Sequence, residues 1–454
     1  MGGFFGFSER GTNLRTEVVA GLTTFMTMAY IIFVNPAILG TEGTGLPVEG
    51  VFVATCLAAA AASIAMGVVA NFPVALASGL GLNAVVAYTL ILGLGLTWQQ
   101  AMAAVVVEGV LVTVLVLTKL REIILNAIPL SLKFAIAVGI GLFIAFIGLK
   151  NAGIVVADPV TYLKLGDFTR GPVLLAVFGL ILTLALVARG IRGGLVVGIL
   201  LTGLIGMILG VVPFPSSVFS LSFDTSTIGG GILAVPEVLR LSLVPVIFAL
   251  FMTDFFDTMG TVIAVGQEAK LLDEEGQLPN AERVLLVDSL AAVGGGAMGA
   301  SSVTSYIESG AGVAEGGRTG LTTVVVGLLF LLALPFSPLV SVIGGSVAIP
   351  GPEGQDLLVS PVTAPALVVV GFLMMTAVRF IPWDRADEAI PAFLTILTLP
   401  LTFSISYGIG FGFISYVLIK LARGKPGEVH PLLYGVAVLF ALAFVTPALQ
   451  GLLS

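Results

Sequence analysis

The chain has 454 residues, of which 57% are hydrophobic and only 10% charged; its formal net charge is −7 and its mean hydropathy +1.14. So much apolar surface behind so few charges excludes a soluble globular domain and selects a polytopic helical membrane protein. One cysteine (Cys56) excludes an internal disulfide and argues against a cysteine metal site, and one histidine (His430), in a basic linker, excludes a histidine relay in the core. Residues 1–16 carry Glu9, Arg10 and Arg15 and no apolar run, so no cleavable signal peptide is expected.

A bilayer core about 30 Å thick takes roughly 20 apolar residues per helix. In chain order, spans are predicted near 17–37, 51–70, 73–93, 98–117, 131–149, 172–188 and 194–212. A second set follows near 236–266, 281–299, 301–315, 320–335, 361–378, 388–405 and 407–422, giving seven plus seven. A further stretch, 431–449, is uncharged and long enough to span or to pack as a terminal helix. Basic residues cluster at Arg10/Arg15, Lys119/Arg121, Arg189/Arg192, Arg318, Arg379/Arg385 and Lys420/Arg423/Lys425, while loops 38–50, 213–235 and 336–360 have none. The positive-inside rule then puts the N-terminus in the cytoplasm, with the 150–171 loop (Lys150, Lys164, Arg170) a minor exception diluted by two aspartates. Seven passes is odd, so the second half runs inverted relative to the first, as in many secondary transporters. Trp98 and Trp383 lie at span ends, where interfacial tryptophans are expected. The charged stretch 268–283 reads as a solvated hairpin, and Ala58–Ala62 and Gly294–Gly296 as close-packing surfaces.

Two spans are interrupted in matching places. Ser309-Gly310-Ala311-Gly312-Val313 repeats Ser78-Gly79-Leu80-Gly81-Leu82 at an offset of 231 residues, about half the chain. Each copy follows a run of period-two alternation (Val74 and Leu76; Val303, Ser305 and Ile307), which predicts a short extended segment ahead of a half-helix. Paired Gly-interrupted segments point to a transporter's binding site. Ser78 and Ser309 are then candidate caps, and the half-helix N–H groups candidate partners for ligand acceptors.

Ionisable groups inside spans need a reason. Glu108, Asp254, Asp257, Asp288 and Glu308 are predicted to lie deep, with no Lys or Arg comparably placed. Carboxylates without fixed cations suit a proton or small cation, or a neutral ligand rich in N–H donors, and disfavour anions. Asp254 and Asp257 are three apart and can share a helix face with Thr258 and Thr261. Glu308 stands at the second break. Asn83, one turn into the first half-helix, offers both donors and an acceptor, which suits a heterocycle edge or an interhelical bond. Glu108 and Asp288 read as ties between helices or as proton sites, and Glu315/Arg318 as an exit-side salt bridge. Phe255, Phe256 or Tyr306 could stack on a planar ligand. The chain has no phosphate-binding loop or cofactor fingerprint. An aspartyl protease would need acids from facing helices, whereas Asp254 and Asp257 share one. The chain is therefore read as a non-enzyme.

At this point the residues resemble the azaguanine-type hypoxanthine/guanine/adenine permeases of the nucleobase/ascorbate (xanthine/uracil permease) superfamily. The resemblance runs through Asn13-Leu-Arg-Thr-Glu-Val-Val-Ala-Gly-Leu-Thr-Thr-Phe25, Asp254-x-x-Asp257-Thr-x-Gly-Thr, Glu308-Ser-Gly-Ala-Gly-x-Ala-Glu-Gly-Gly-Arg-Thr-Gly, Ala389-Ile-Pro-Ala-Phe393 and Tyr407-Gly-Ile-Gly-Phe-Gly412. It implies an all-α fold of 14 transmembrane helices in a 7+7 inverted repeat, with short strands in helices 3 and 10. The implied division is core 1–120 and 236–335, gate 121–235 and 336–430, and an apolar C-terminal segment 431–454. Purine would sit between the two half-helices and helix 8, with Asp257 and Glu308 contacting base and Asp254 and Asn83 at polar positions needed for function. Ser78, Ser309, Thr258 and Phe255 complete the expected site. Thr258 and Thr261, where uracil-type relatives carry histidines, argue against uracil. Loop 345–360 is longer than the family pattern.

The expectation is a secondary active transporter in the plasma (inner) membrane. It would import neutral purine bases by alternating access with proton, or else sodium, symport through Glu308, Asp257 and Asp254. It needs no cofactor or metal and binds no nucleic acid; its partners are the base, the bilayer and a second copy met through the gate. The rivals are an anion transporter of the same superfold, a uracil/xanthine permease, and a channel or receptor.

Overall fold

The computed structural model describes the chain apart from Met1, 119–126, 241–242, 272–277, Pro279, 352–355 and Ser454. The 120/121 boundary and the middle of the predicted 268–283 hairpin therefore lie outside the described residues. Among the described residues, eight helical stretches of 18 or more residues are long and apolar enough to cross a bilayer, and four apolar helices are shorter.

Helix α1 (Leu14–Met28) starts where the Asn13 side chain accepts from the Thr16 N–H at 3.0 Å. After Ala29 and Tyr30 it continues as α2 (Ile31–Leu39). Helix α3 (Val48–Ala65) widens into i→i+5 turns over Met66–Ala70 and ends at Asn71, whose φ of 46° an asparagine tolerates. Strand β1 (Leu76–Ser78) leads into α4 (Leu80–Gly93). Thr97 and Gln100 form a capping box for α5 (Trp98–Leu117). Helix α6 (Leu130–Asn151) is followed by the hairpin β2 (Val155–Asp158) and β3 (Tyr162–Leu165), then α7 (Gly171–Ala188) and α8 (Gly194–Ile208).

The second half repeats the pattern. Helices α9 (Val244–Glu268) and α10 (Ala281–Met298) precede β4 (Val303–Ser305) and α11 (Ser309–Ala314). Then come α12 (Gly320–Ala333), a second hairpin of β5 (Val347–Pro350) and β6 (Asp356–Val359), α13 (Ala364–Met375), α14 (Ala386–Leu401), α15 (Ile405–Ala422) and α16 (Pro431–Leu453). The long loop 345–360 is thus largely a β-hairpin.

Among the boundaries that differ from the sequence reading by a turn or more, two have a clear local cause. Helix α9 begins at Val244 rather than near 236, because Pro245 suits a first turn and residues 230–238 form two short helices of their own, the first pressed against the Trp98 ring. Helix α8 ends at Ile208, where Leu209 leads into Gly210 at φ 70°. Hydropathy does not register the second break, since Leu209, Val211 and Val212 are as apolar as the helix, whereas Pro236, Glu237 and Arg240 do mark the first.

The packing falls into two groups. Helix α5 lies on α10, and α1 and α3 on α12, while β1 and β4 run between α3, α9 and α10. Helix α6 packs on α13 and α14, α14 on α15, and α7 on α8. Glycine lets backbones touch in the first group: a Cβ at Gly320 would lie 2.1 Å from the Gly67 carbonyl oxygen, and one at Gly295 2.1 Å from that of Ser301. In the 150–171 loop, Lys164 pairs with Asp158 and Arg170 with Asp167, each at 3.0 Å, which accounts for that exception among the basic clusters.

Candidate functional site

The two interrupted segments meet. Strands β1 and β4 pair antiparallel with Leu76 opposite Ser305, Ala77 opposite Thr304 and Ser78 opposite Val303. Both are fully buried, so their alternation reflects two packed faces rather than one wet and one dry. Strand β4 stops at Ser305, not at Ile307. A short helix leaves each strand, and because the pairing is antiparallel the two helices start at opposite ends of the strand pair, α4 beside Ser302 and α11 beside Ala75.

The serines do not cap these helices. The Ser78 hydroxyl donates to the Ala300 carbonyl, lies 3.1 Å from Asn83 Oδ1, and accepts from Asn35 Nδ2 at 3.0 Å. Ser309 Oγ accepts from the Ala75 N–H at 3.0 Å and so staples the second segment to the first. The first N–H groups of α11 are also spent locally: Ser309, Gly310 and Ala311 donate to the carbonyls of Tyr306, Ile307 and Glu308. A turn this tight leaves less free dipole for a ligand than the sequence suggests.

Glu308 sits at the break, partly exposed, beside Ile307, which is 54% exposed. The Tyr30 hydroxyl donates to its Oε1 at 2.6 Å. Asp257 projects from α9 onto an exposed stripe continued by Gly260, Ile263, Gln267 and Glu268. That stripe borders α11, since a Cβ at Gly310 would lie 2.8 Å from Glu268 Oε2. Asp257 and Glu308 are close enough for their charges to act on each other. A face carrying Asp257, Gln267 and Glu268 is a polar groove, not a lipid surface. Two cavities lie elsewhere, under Lys150 and between Trp98 and Glu237.

Asp254 does not share this groove. It is fully buried and turned toward α5, where its carboxyl abuts that of Glu108. Ser302 Oγ reaches Asp254 Oδ1 at 3.3 Å, but no other group meets Asp254 Oδ2 or either Glu108 oxygen among the described residues. Asp288 completes an acid cluster and is satisfied by Thr258 and Ser305, both at 2.7 Å. Thr258 also meets Thr304 at 2.8 Å, so its hydroxyl is held between Asp288 and the second strand. An i, i+3 spacing leaves a 60° rotation between side chains, enough to send Asp254 and Asp257 to different neighbours.

Other expected residues are placed differently as well. Phe255 is buried and packs on Phe251 at 5.5 Å, away from the groove. Tyr306 is buried, its hydroxyl donating to the Ser78 carbonyl at 2.5 Å. The Phe256 side chain lies outside what is described. Asn83 is fully buried and its Nδ2 has no partner among the described residues. Glu315 pairs with Arg192 on the α7–α8 turn, not with Arg318, whose guanidinium donates to the Val313 and Gly317 carbonyls.

Sequence reasoning passed over Tyr30, Asn35 and Glu17. Asn35 links Ser78, Thr55 and the Ala300 carbonyl; its signal was a lone amide inside an apolar span. Glu17 accepts from the N–H groups of Arg318 and Thr319 and from the Thr322 hydroxyl, clamping the start of α12.

Residues 15–411 match the model of the xanthine/uracil permease family, described as a permease family. The chain belongs to this family. It is 49% identical to a protein of Methanocaldococcus jannaschii over 444 residues, covering 97% of each. It is 44% identical to a guanine/hypoxanthine permease of Bacillus subtilis (97% of this chain, 99% of that one). An adenine permease of Escherichia coli is 42% identical (97% and 95%). Two solved structures share the fold at low identity. The murine anion transporter Slc26a9, inward-facing, gives a TM-score of 0.64 at 9% identity, covering 90% of this chain and 69% of that one. The transmembrane domain of the cyanobacterial bicarbonate transporter BicA gives 0.58 at 14% (87% and 97%). A permease family and a membrane of apolar helices make this a transport protein and not an enzyme.

Proposed function

We propose that this permease carries neutral purine bases (hypoxanthine, guanine, adenine) across the plasma membrane by proton symport. The observation that carries the reading is that Asp257 and Glu308 lie within electrostatic reach of each other at a strand-paired helix break, beside a polar groove and, among the described residues, with no cation. Carboxylates there accept from ring N–H and exocyclic NH₂ groups, which neutral purines supply and anions do not. The permeases for guanine, hypoxanthine and adenine among the relatives support the same substrate class. Among the described residues no Lys or Arg stands at the break, which weighs against the anion chemistry of the solved fold neighbours.

In this reading the 14 helices form two inverted sevens. The group holding β1 and β4 is the core, the group around α6, α13, α14 and α15 the gate, and the groove is the opening between them on the N-terminal, cytoplasmic side. Glu308, with Tyr30 on one oxygen, and Asp257 exchange a proton with the groove as the base binds and leaves. Asp254 takes part from behind, because carboxyls in contact, as Glu108 and Asp254 are, need a proton between them to hydrogen-bond. The exposed apolar face of α7 (Leu174, Phe178, Ile181) suits lipid or a second copy.

Proteoliposomes with an acidic exterior should accumulate labelled hypoxanthine, and a protonophore should abolish it. Accumulation that follows a sodium gradient instead would replace the proton, and flux of bicarbonate without purine uptake would overturn the substrate class.

A further inference from the structure

A cavity of about 430 Å³ lies well away from the acids, between α4, α6, the β2–β3 hairpin and the link from α14 to α15. That volume sits at the small end of small-molecule sites and admits a bicyclic base. Its walls are rings. Phe403 stands 6.3 Å from Tyr88, 5.6 Å from Phe143 and 5.3 Å from Phe146. Phe403 has φ of 51°, a strained conformation for an aromatic residue, so the fold spends energy to hold that ring there. Leu92 and Leu163 extend the apolar lining.

One polar group overlooks this aromatic wall. Lys150 Nζ is 5.8 Å from the ring centroids of both Tyr88 and Phe403. Among the described residues no carboxylate pairs with it, whereas Lys164 on the neighbouring hairpin is paired with Asp158. Tyr88 is itself held by Asn151 Nδ2 at 3.3 Å. An ammonium is a donor without acceptor capacity. A planar ligand lying on the rings would therefore be favoured by a carbonyl under Lys150 and disfavoured by an amino group. Tyr88 lies on the same helix as Asn83, five residues on, about 8 Å along the axis, so one helix carries both the cavity wall and the residue next to the strand-paired break.

We propose that this cavity is a loading subsite for the purine base, selective for 6-oxo over 6-amino purines through Lys150. It rests on the purine reading above. In proteoliposomes of the full chain, Lys150→Met should raise the KM for hypoxanthine about tenfold by removing one charge-assisted hydrogen bond. The KM for adenine should move less than twofold, and Lys150→Arg should restore selectivity. Equal change for both bases, or none, overturns the subsite while purine transport stands; no uptake of either base by the wild type removes the purine reading and the subsite with it. A second measurement does not depend on transport. Cys56 is buried, so Leu163→Cys supplies a lone reactive thiol at an exposed position. In detergent, hypoxanthine should slow its maleimide labelling more than adenine does, and should still do so when Glu308→Gln is added. Protection that vanishes with Glu308→Gln overturns the proposal.

Discussion

Acids are gathered in two places, and they behave as opposites. At the far end of α15, Lys420 is 1% exposed and meets Asp387 at 2.9 Å, Glu388 at 3.0 Å and Glu428 at 2.7 Å, with Arg423, Arg385 and Lys425 around them. Every carboxylate there has a cation. The two lysines hold the Glu428 carboxyl down at about 2, so it stays ionised at any working pH. At the centre, Glu108, Asp254, Asp257, Asp288 and Glu308 have hydroxyls, each other, or nothing. The paired cluster has its charge neutralised and ties α14, α15 and the link to α16 together. The unpaired one keeps an unmet demand for a proton or a donor. Acid content alone does not mark a site; the absence of a counter-ion does.

The contrast can be broken by substitution. Lys420→Met removes the one buried cation between Asp387 and Glu388, leaves them only the more exposed Arg423, Lys425 and Arg385, and should cost up to about 3–5 kcal/mol of stability, read as a lower melting temperature in detergent. Adding Asp387→Asn and Glu388→Gln should recover much of that loss, which a merely steric role for Lys420 would not allow. At the centre, Glu308→Gln should insert normally and melt near the wild type while uptake falls about a hundredfold. Wild-type uptake in that variant would remove Glu308 from coupling.

Finer effects sharpen the comparison. Glu108→Gln relieves contact between two acids, so stability should hold or rise. Accumulation driven by a pH gradient should fall about tenfold while base-for-base exchange persists, the pattern expected if the pair carries the proton. Loss of both together would make Glu108 structural. The smallest effect belongs to the β2–β3 turn. Hydrogen bonds from Thr161, Lys164 and Val160 hold the Asp158 carboxyl well below the usual carboxylate range. A depressed value stabilises the folded form above the ordinary carboxylate pH and stops doing so as pH falls through the folded value. Asp158→Asn should therefore speed amide exchange at Thr161 at neutral pH, with little difference from the wild type in strong acid.

Much of this was legible in the chain itself. Hydropathy located the apolar helices, since each must satisfy its own backbone in lipid, and the repeated Ser-Gly-x-Gly marked both breaks. Scarcity of charge singled out Asp257 and Glu308. What these patterns cannot carry is rotation about a helix axis and the identity of neighbours. Packing alone turned Asp254 toward Glu108 and Asp257 toward the groove, buried Phe255 on Phe251, spent Ser78 and Ser309 on the opposite segment rather than on caps, and gave Lys420 its three acids. Residue type and spacing are local properties, so they decide which groups enter the membrane. Which of those groups are satisfied there depends on contacts between segments hundreds of residues apart, and only the tertiary structure sets those.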